Sequence, residues 1–328
     1  MALSTLVDEC IHLFLKERRA AVPEAALLID EIERVVLAGG KRLRPAFCYW
    51  GYRSAGGPDG EEILRLTTAF ELLHTFAIVH DDIMDRSSER RGQPTTWQTM
   101  GIERALLVGD LALVLADAAF WGSGFTPDQL CSAFAEFTTM REQVIAGQHM
   151  DLEAHNSTIT ESAARAIAIL KSGSYSIEHP LLIGARLAGA PGPAIEALRG
   201  FGRPLGEAFQ LVDDILGVFG DPAVTGKPID SDIREGKRNV LFAKTLDALE
   251  ESDRDFFLAN WGAGDDLPGP DVDRLRDLIE ASGARAATEQ LVASLADDAA
   301  AALAGAPITE EGRSALEDLM GAAITRTH

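Results

Sequence analysis

Apolar residues in this sequence recur at helical spacing almost from end to end, and no stretch shows sustained period-two alternation. One stripe is Leu28, Ile29, Ile32, Val35 and Val36, and another is Leu66, Phe70, Leu73 and Ala77. Residues three and four apart share a helix face, whereas a strand would need every second position. Alanine, the strongest helix former in host peptides, fills runs such as AFELLHTFAIVHDD and ALLVGDLALVLADAAF. The fold class read from this pattern is all-α.

Breaks in the pattern fall at Gly39-Gly40, Ala55 to Gly60, Gly122 to Pro127, Ala190 to Pro193, Gly220 to Pro222 and Gly262 to Pro270. They divide the chain into about ten helices. None is long or polar enough to be a domain linker and no fixed repeat is present, so residues 1–328 are expected to form a single domain.

Composition narrows the function. The 328 residues carry 51 acidic and 30 basic side chains, a formal net charge of −21. Such a surface repels nucleic acid and anionic membranes, and any cluster of Lys and Arg stands out against it. Cys10, Cys48 and Cys131 are odd in number and lack metal-ligand spacing, so buried thiols are expected. The first residues, MALSTLVDECIHLFLKERRA, show no basic leader before a sustained apolar run, and charges interrupt every long apolar stretch. A cytoplasmic protein without a transmembrane segment is expected.

The segment ELLHTFAIVHDDIMD, Glu71 to Asp85, is an apolar helix ending in Asp81, Asp82 and Asp85. Asp81 and Asp85 lie four apart on one face, where like charges repel unless a counter-ion intervenes. Magnesium takes one or two carboxylates together with substrate phosphates and waters, which suits this spacing. A solvated acidic helix end would look the same for one such motif. A second acidic pair, Asp213-Asp214, again follows an apolar helical stretch. A carboxylate pair aimed into a cavity calls for cations, because an unpaired buried charge is costly.

Basic clusters alternate with the acids. Gly39-Gly40-Lys41-Arg42-Leu43-Arg44-Pro45 reads as a helix stop, a cationic turn and a new helix start. Helix N-termini and the planar fork of arginine both favour phosphate, so this turn is a candidate diphosphate clamp. Arg90-Arg91-Gly92 follows Asp85, and Lys227 and Lys237 follow Asp213.

In order, GGKRLRP, ELLHTFAIVHDDIMDRSSERRGQPT, GQHMDL, KSG and FQLVDDILG with TGKP and EGK resemble the signature of the trans-isoprenyl diphosphate synthases, or polyprenyl synthetase family, over roughly residues 25 to 245. The resemblance implies the isoprenoid synthase fold, with helices around a central active-site cavity. It implies a prenyltransferase that condenses isopentenyl diphosphate with an allylic diphosphate, acting as a homodimer with three magnesium ions and bound diphosphate. Asp81, Asp85 and Asp213 would bind magnesium, with Asp82 and Asp214 in support and Gln148 and Asp151 as further candidate ligands. Lys41, Arg44, His74 and Arg91 would hold isopentenyl diphosphate. Arg90, Lys171, Lys227 and Lys237 would hold the allylic diphosphate, while Gln210 and Ser172 face the reacting carbon. His74 alone would more often be a core histidine, but it lies seven residues before Asp81 and so faces the same side of the helix. Family members often carry a third aspartate in the second motif, where this chain has Gly217, and a threonine where it has Ser172.

No G-x-S-x-G elbow or Cys/His pairing suggests a nucleophilic mechanism. Product length would depend on Phe76, five residues and about 7.5 Å of helix axis before Asp81, with Ala77 as a small neighbour. In the family that combination resembles the geranylgeranyl type, and a farnesyl or longer-chain synthase is the next reading. A non-catalytic regulatory subunit would lose acids or clamps that are kept here, and a terpene cyclase would not need the GGKRLRP turn.

Overall fold

The computed structural model describes residues 2–155, 157–220, 230–264 and 266–325. Helices follow one another in the order α1 (Leu3–Ala21), α2 (Ala26–Val36), α3 (Leu43–Ser54) and α4 (Glu61–Met84). A two-stranded hairpin, β1 (Glu89–Arg90) and β2 (Gln93–Pro94), leads to α5 (Thr96–Met100), α6 (Ile102–Trp121), α7 (Pro127–Ala154) and α8 (Glu161–Ile167). Residues Ala168–Glu178 form a π-helix. After it come α9 (His179–Leu187), α10 (Gly192–Phe219), α11 (Ser231–Glu235), α12 (Val240–Ala248), α13 (Glu251–Asn260), α14 (Gly269–Ala281), α15 (Ala284–Ala304) and α16 (Glu310–Ile324). The all-α reading holds.

The helices outnumber the ten or so read from the sequence because short breaks lie inside apparently continuous patterns. Val22-Pro23 separates α1 from α2, and Gly101, with φ of +83°, separates α5 from α6.

The chain forms two compact units. The first comprises residues 1–138, 179–198 and 306–319. Here the predicted stripes turn inward: Ile29, Ile32 and Val36 of α2 and Leu66, Phe70 and Leu73 of α4 are buried. Phe120 of α6 stacks on Phe137 of α7 at 4.8 Å between ring centroids, and Phe70 meets Phe137 edge-on at 6.1 Å. Each fully buried ring contributes about 1.5–3 kcal/mol. Glycines let helices meet backbone to backbone: a Cβ at Gly51 would overlap the Leu181 carbonyl, and one at Gly184 would overlap that of Cys48. Helices α3 and α9 are thereby locked together. Cys48 is buried as expected, Cys10 is half-buried, and Cys131 is exposed at the start of α7.

The second unit comprises residues 139–178, 199–305 and 320–328. Its core is built on Phe242, Phe257 and Trp261, with ring centroids 5.1 to 5.6 Å apart, packed with Val218, Ile233, Leu275 and Ile279. The π-helix is wedged by glycine on two sides. A Cβ at Gly147 of α7 would overlap the backbone of Lys171, and Gly173 and Gly206 exclude a Cβ on each other. Rare π geometry therefore sits where the sequence places the Lys171-Ser172 pair.

Candidate active site

In the first unit the basic residues are gathered by strained turns. Gly39 and Gly40 have φ of +98° and +139°, and Arg42 is left-handed at +51°, which turns successive side chains of the loop in different directions. Arg42 goes inward and is 5% exposed. Its Nε donates to Asp8 of α1 at 2.7 Å, its Nη2 to the Val36 carbonyl of α2 at 2.7 Å, and its Nη1 to the buried Glu71 of α4. Lys41 is left exposed, and Arg44 lies in the first turn of α3.

The hairpin supplies the second pair. Arg91 and Gly92, with φ of +53° and +70°, form a two-residue turn of the kind that matches strand twist. Arg91 reaches the Gly39 carbonyl, joining this turn to the glycine loop. Partial desolvation and the like charge of Arg90, with Arg42 and Arg44 beyond, hold the Arg91 guanidinium below the usual arginine range despite the opposing pull of Glu71. Burial, followed by the charges of Arg44, Arg91, Arg90 and Arg42, keeps His74 well below the ordinary histidine value, so its imidazole is neutral at physiological pH. This concentration of positive charge in a strongly acidic protein favours an anion.

Helix α4 ends at Met84, with Asp85 as its C-cap. Asp81, Asp82 and Asp85 therefore crowd the negative end of a helix dipole, an unfavourable place for carboxylates. Arg90 offsets part of this charge, donating from Nε to Asp82 at 2.9 Å and approaching Asp81 at 3.4 Å. Phe76, on the same helix, sets its ring edge-on to His80 at 5.0 Å, beside Ala77. His80 lies 3.2 Å from the Leu106 carbonyl of α6, and Gly109 has no Cβ to obstruct it.

The second unit holds the other acidic pair, on α10. Gln210 donates to Asp214 at 2.7 Å, one helical turn away. Asp214 is buried, and burial above all, with the charges of Asp232 and Asp213, pushes its carboxyl up to about 8 against the pull of Gln210 and Lys237. Lys171 of the π-helix donates to the buried Asp151 of α7 at 2.6 Å, and Gln148 lies three residues before Asp151 on that helix. Lys237 lies 3.1 Å from both Asp232 and Glu235.

The motif order has a counterpart in known proteins, for residues 26–275 match the Polyprenyl synthetase family. The chain belongs to the polyprenyl synthetase family. Among curated relatives, a geranylfarnesyl diphosphate synthase of Aeropyrum pernix is 37% identical over 76% of this chain and 78% of its own. A geranylgeranyl diphosphate synthase of Sulfolobus acidocaldarius is 38% identical over 69% of this chain and 68% of its own. A solved geranylgeranyl pyrophosphate synthase from Corynebacterium glutamicum, complexed with isoprenyl diphosphate and magnesium, superposes with a TM-score of 0.93 at 31% identity, covering 99% of this chain and all of that one.

Within this polyprenyl synthetase chain, the first unit carries Arg44, Arg90, Arg91, His74 and the first acidic set, with Arg90 held to Asp82 and Asp81 and Arg91 to the Gly39 carbonyl. The second unit pairs Lys171 with Asp151, and Gln210 with Asp214. Ser172 is half-buried on the π-helix beside Lys171. Lys227 and its TGKP motif lie outside the described residues. Sequence reasoning overlooked Arg42, Glu71 and Asp232, none of which differs in spacing from a solvated charge. Glu71 is flanked one turn away on α4 by Thr67, Thr68, His74 and Thr75, and only the fold shows that it is buried against an internal cation.

Proposed function

We propose that the chain is a magnesium-dependent trans-prenyltransferase that condenses isopentenyl diphosphate with an allylic diphosphate, with geranylgeranyl diphosphate as its main product. The observation that carries this reading is the set of Arg44, Arg90 and Arg91 whose charges converge on a buried, neutral His74, in the unit that also bears the first acidic set. Such a cluster suits a diphosphate, and the acids suit its metal.

The donor set fits magnesium. Among the described residues no group of three or more His, Cys, Asp or Glu side chains is placed to hold a metal ion by itself, so phosphate oxygens and waters would complete the shell. Asp81, Asp85 and Asp213 are the proposed ligands, with Asp82 and Asp214 in support and Gln148 and Asp151 as further candidates. When bound, magnesium would offset the charge that grows on the departing diphosphate.

The chain's own groups do the rest. Lys41, Arg44 and Arg91 hold isopentenyl diphosphate, and His74 adds a hydrogen bond without adding charge. Arg90, Lys171, Lys237 and Lys227 hold the allylic diphosphate, whose C–O bond breaks with its electron pair leaving on the diphosphate. The isopentenyl double bond supplies the pair for the new C–C bond, and the proton lost from the adjacent carbon goes to the released diphosphate. Gln210 and Ser172 turn oxygen dipoles toward the electron-poor carbon.

Product length rests on Phe76, whose ring is braced by His80 while Ala77 leaves space beside it. Relatives named for geranylgeranyl and for geranylfarnesyl diphosphate frame the expected range. Phe76→Ala is expected to shift products to longer chains, since each further buried methylene gains about 0.8 kcal/mol. An unchanged product distribution would place the floor elsewhere.

A homodimer is part of the same proposal. Leu107, Val114 and Trp121 of α6, seven residues apart on one face, are 54%, 62% and 44% exposed. A second copy presenting the same stripe would cover it. Val114→Lys is expected to halve the mass measured by light scattering, and an unchanged mass would exclude this face.

Steady-state kinetics test the substrate assignment. Lys41→Ala and Arg44→Ala are expected to raise KM for isopentenyl diphosphate about tenfold more than that for the allylic substrate. The reverse pattern would mean that the two subsites are exchanged.

A further inference from the structure

Gly217 stands inside helix α10, where glycine is a much poorer helix former than alanine. It lies four residues after Asp213, on the same helical face. A Cβ built on Gly217 would fall 2.6 Å from Oδ1 of Asp232 and closer still to its Cγ and Oδ2. Any side chain at 217 must displace that carboxylate.

Asp232, on α11, is 3% exposed and firmly held. Its Oδ1 accepts from Lys237 Nζ at 3.1 Å and its Oδ2 from Asn239 Nδ2 at 3.4 Å, while its backbone carbonyl accepts the Lys237 N–H at 3.0 Å. Asn239 in turn caps α12, accepting the Phe242 N–H at 3.0 Å. The space next to Asp213 on the face of α10 thus contains a carboxylate that belongs to a different helix.

We propose that Asp232 is the positioning residue for Lys237, and that Gly217 is there to admit its carboxylate. The second acidic set has three carboxylates after all, the third coming from α11 instead of from position 217. Fixed from both its side chain and its backbone, Lys237 points its ammonium at one place, which lowers the entropy lost when it meets a diphosphate. The inference rests on the prenyltransferase reading, in which Lys237 holds the allylic diphosphate.

A reciprocal exchange tests it. Asp232→Ala and Gly217→Asp alone are each expected to raise KM for the allylic diphosphate about tenfold, with KM for isopentenyl diphosphate changed less than about twofold. The double variant, which returns one carboxylate to the same space, is expected to come back to within about threefold of the parent protein, a strongly non-additive result. Additive losses, or a Gly217→Asp protein with unchanged kinetics, would overturn the proposal. Asp232→Asn keeps the shape and removes only the charge, so it reads the same point even where Gly217→Asp folds poorly. An unchanged allylic KM in that variant is equally fatal. Calorimetric binding of inorganic pyrophosphate with magnesium chloride separates this inference from the reading beneath it. If the parent protein forms no prenyl product, the reading fails, and the order parent, double variant, single variants is still expected in pyrophosphate affinity. Equal affinities there would overturn the role of Asp232 by itself.

Discussion

Asp82 and Asp214 occupy matching places, each the second acid of a pair late in a long helix, and each is about 5% exposed. Their surroundings differ. Asp82 has a guanidinium against it, with Arg90 donating at 2.9 Å from the neighbouring hairpin. Asp214 has the amide of Gln210 at 2.7 Å, while the negative charges of Asp232 and Asp213 add to its burial and push its carboxyl up to about 8. The buried acid of the first set is hydrogen-bonded to a cation, whereas that of the second is hydrogen-bonded to a neutral amide and feels Lys237 less than its burial and the neighbouring carboxylates. In the proposed enzyme, the first set is ordered before any ligand arrives and the second depends more on the ions that come with the diphosphate.

The largest expected effect is at the half-buried acids of the two sets. Asp81→Ala, Asp85→Ala and Asp213→Ala should each lower kcat at least about a hundredfold while leaving the circular-dichroism helix signal intact. Asp214→Ala should cost about tenfold less than Asp213→Ala. Equal loss at 213 and 214 would break the distinction between ligand and support.

Next in size is Arg42→Ala, which leaves Glu71 buried without its guanidinium and is expected to cost about 3–5 kcal/mol of stability. Chemical denaturation measures it. A loss below about 1 kcal/mol would mean that the Asp8, Glu71 and Val36 contacts contribute little to holding the cationic turn.

The last test is the pH dependence of the second set. A carboxyl whose folded value, about 8, lies above its unfolded value near 4 binds its proton more tightly when folded. The metal-free protein should therefore lose stability as pH rises from about 4 to about 8, and Asp214→Asn should flatten that slope. Magnesium with pyrophosphate must displace the same proton, so its thermal stabilisation should be larger at pH about 8.5 than at pH about 6. Identical slopes in the parent and Asp214→Asn proteins would place the titrating group elsewhere.

Much of this was legible in the sequence for a physical reason. The four-residue spacing of Asp81 and Asp85 fixes a shared face as soon as a helix is granted, whereas the hairpin turn at Arg91-Gly92 was not read from the sequence, since arginine is not a residue that favours a positive φ. Which cation of Lys41, Arg42 and Arg44 turns inward was not legible, because the left-handed backbone at Arg42 and the buried Glu71 decide it together. The π-helix was hidden too: AILKSGSYSIE reads as ordinary helix, and its widened turns appear only with the glycine contacts of Gly147 and Gly206. Gly217 looked like a missing acid, since nothing in the spacing shows that Asp232 stands over it.

The most direct test of the central claim is chromatography of products formed from radiolabelled isopentenyl diphosphate with dimethylallyl, geranyl or farnesyl diphosphate, with magnesium and with chelator. The expected result is a labelled C20 diphosphate that requires both substrates and disappears with chelator. Absence of any elongated labelled product with magnesium, or consumption of the allylic diphosphate alone to a cyclic hydrocarbon, would contradict the account.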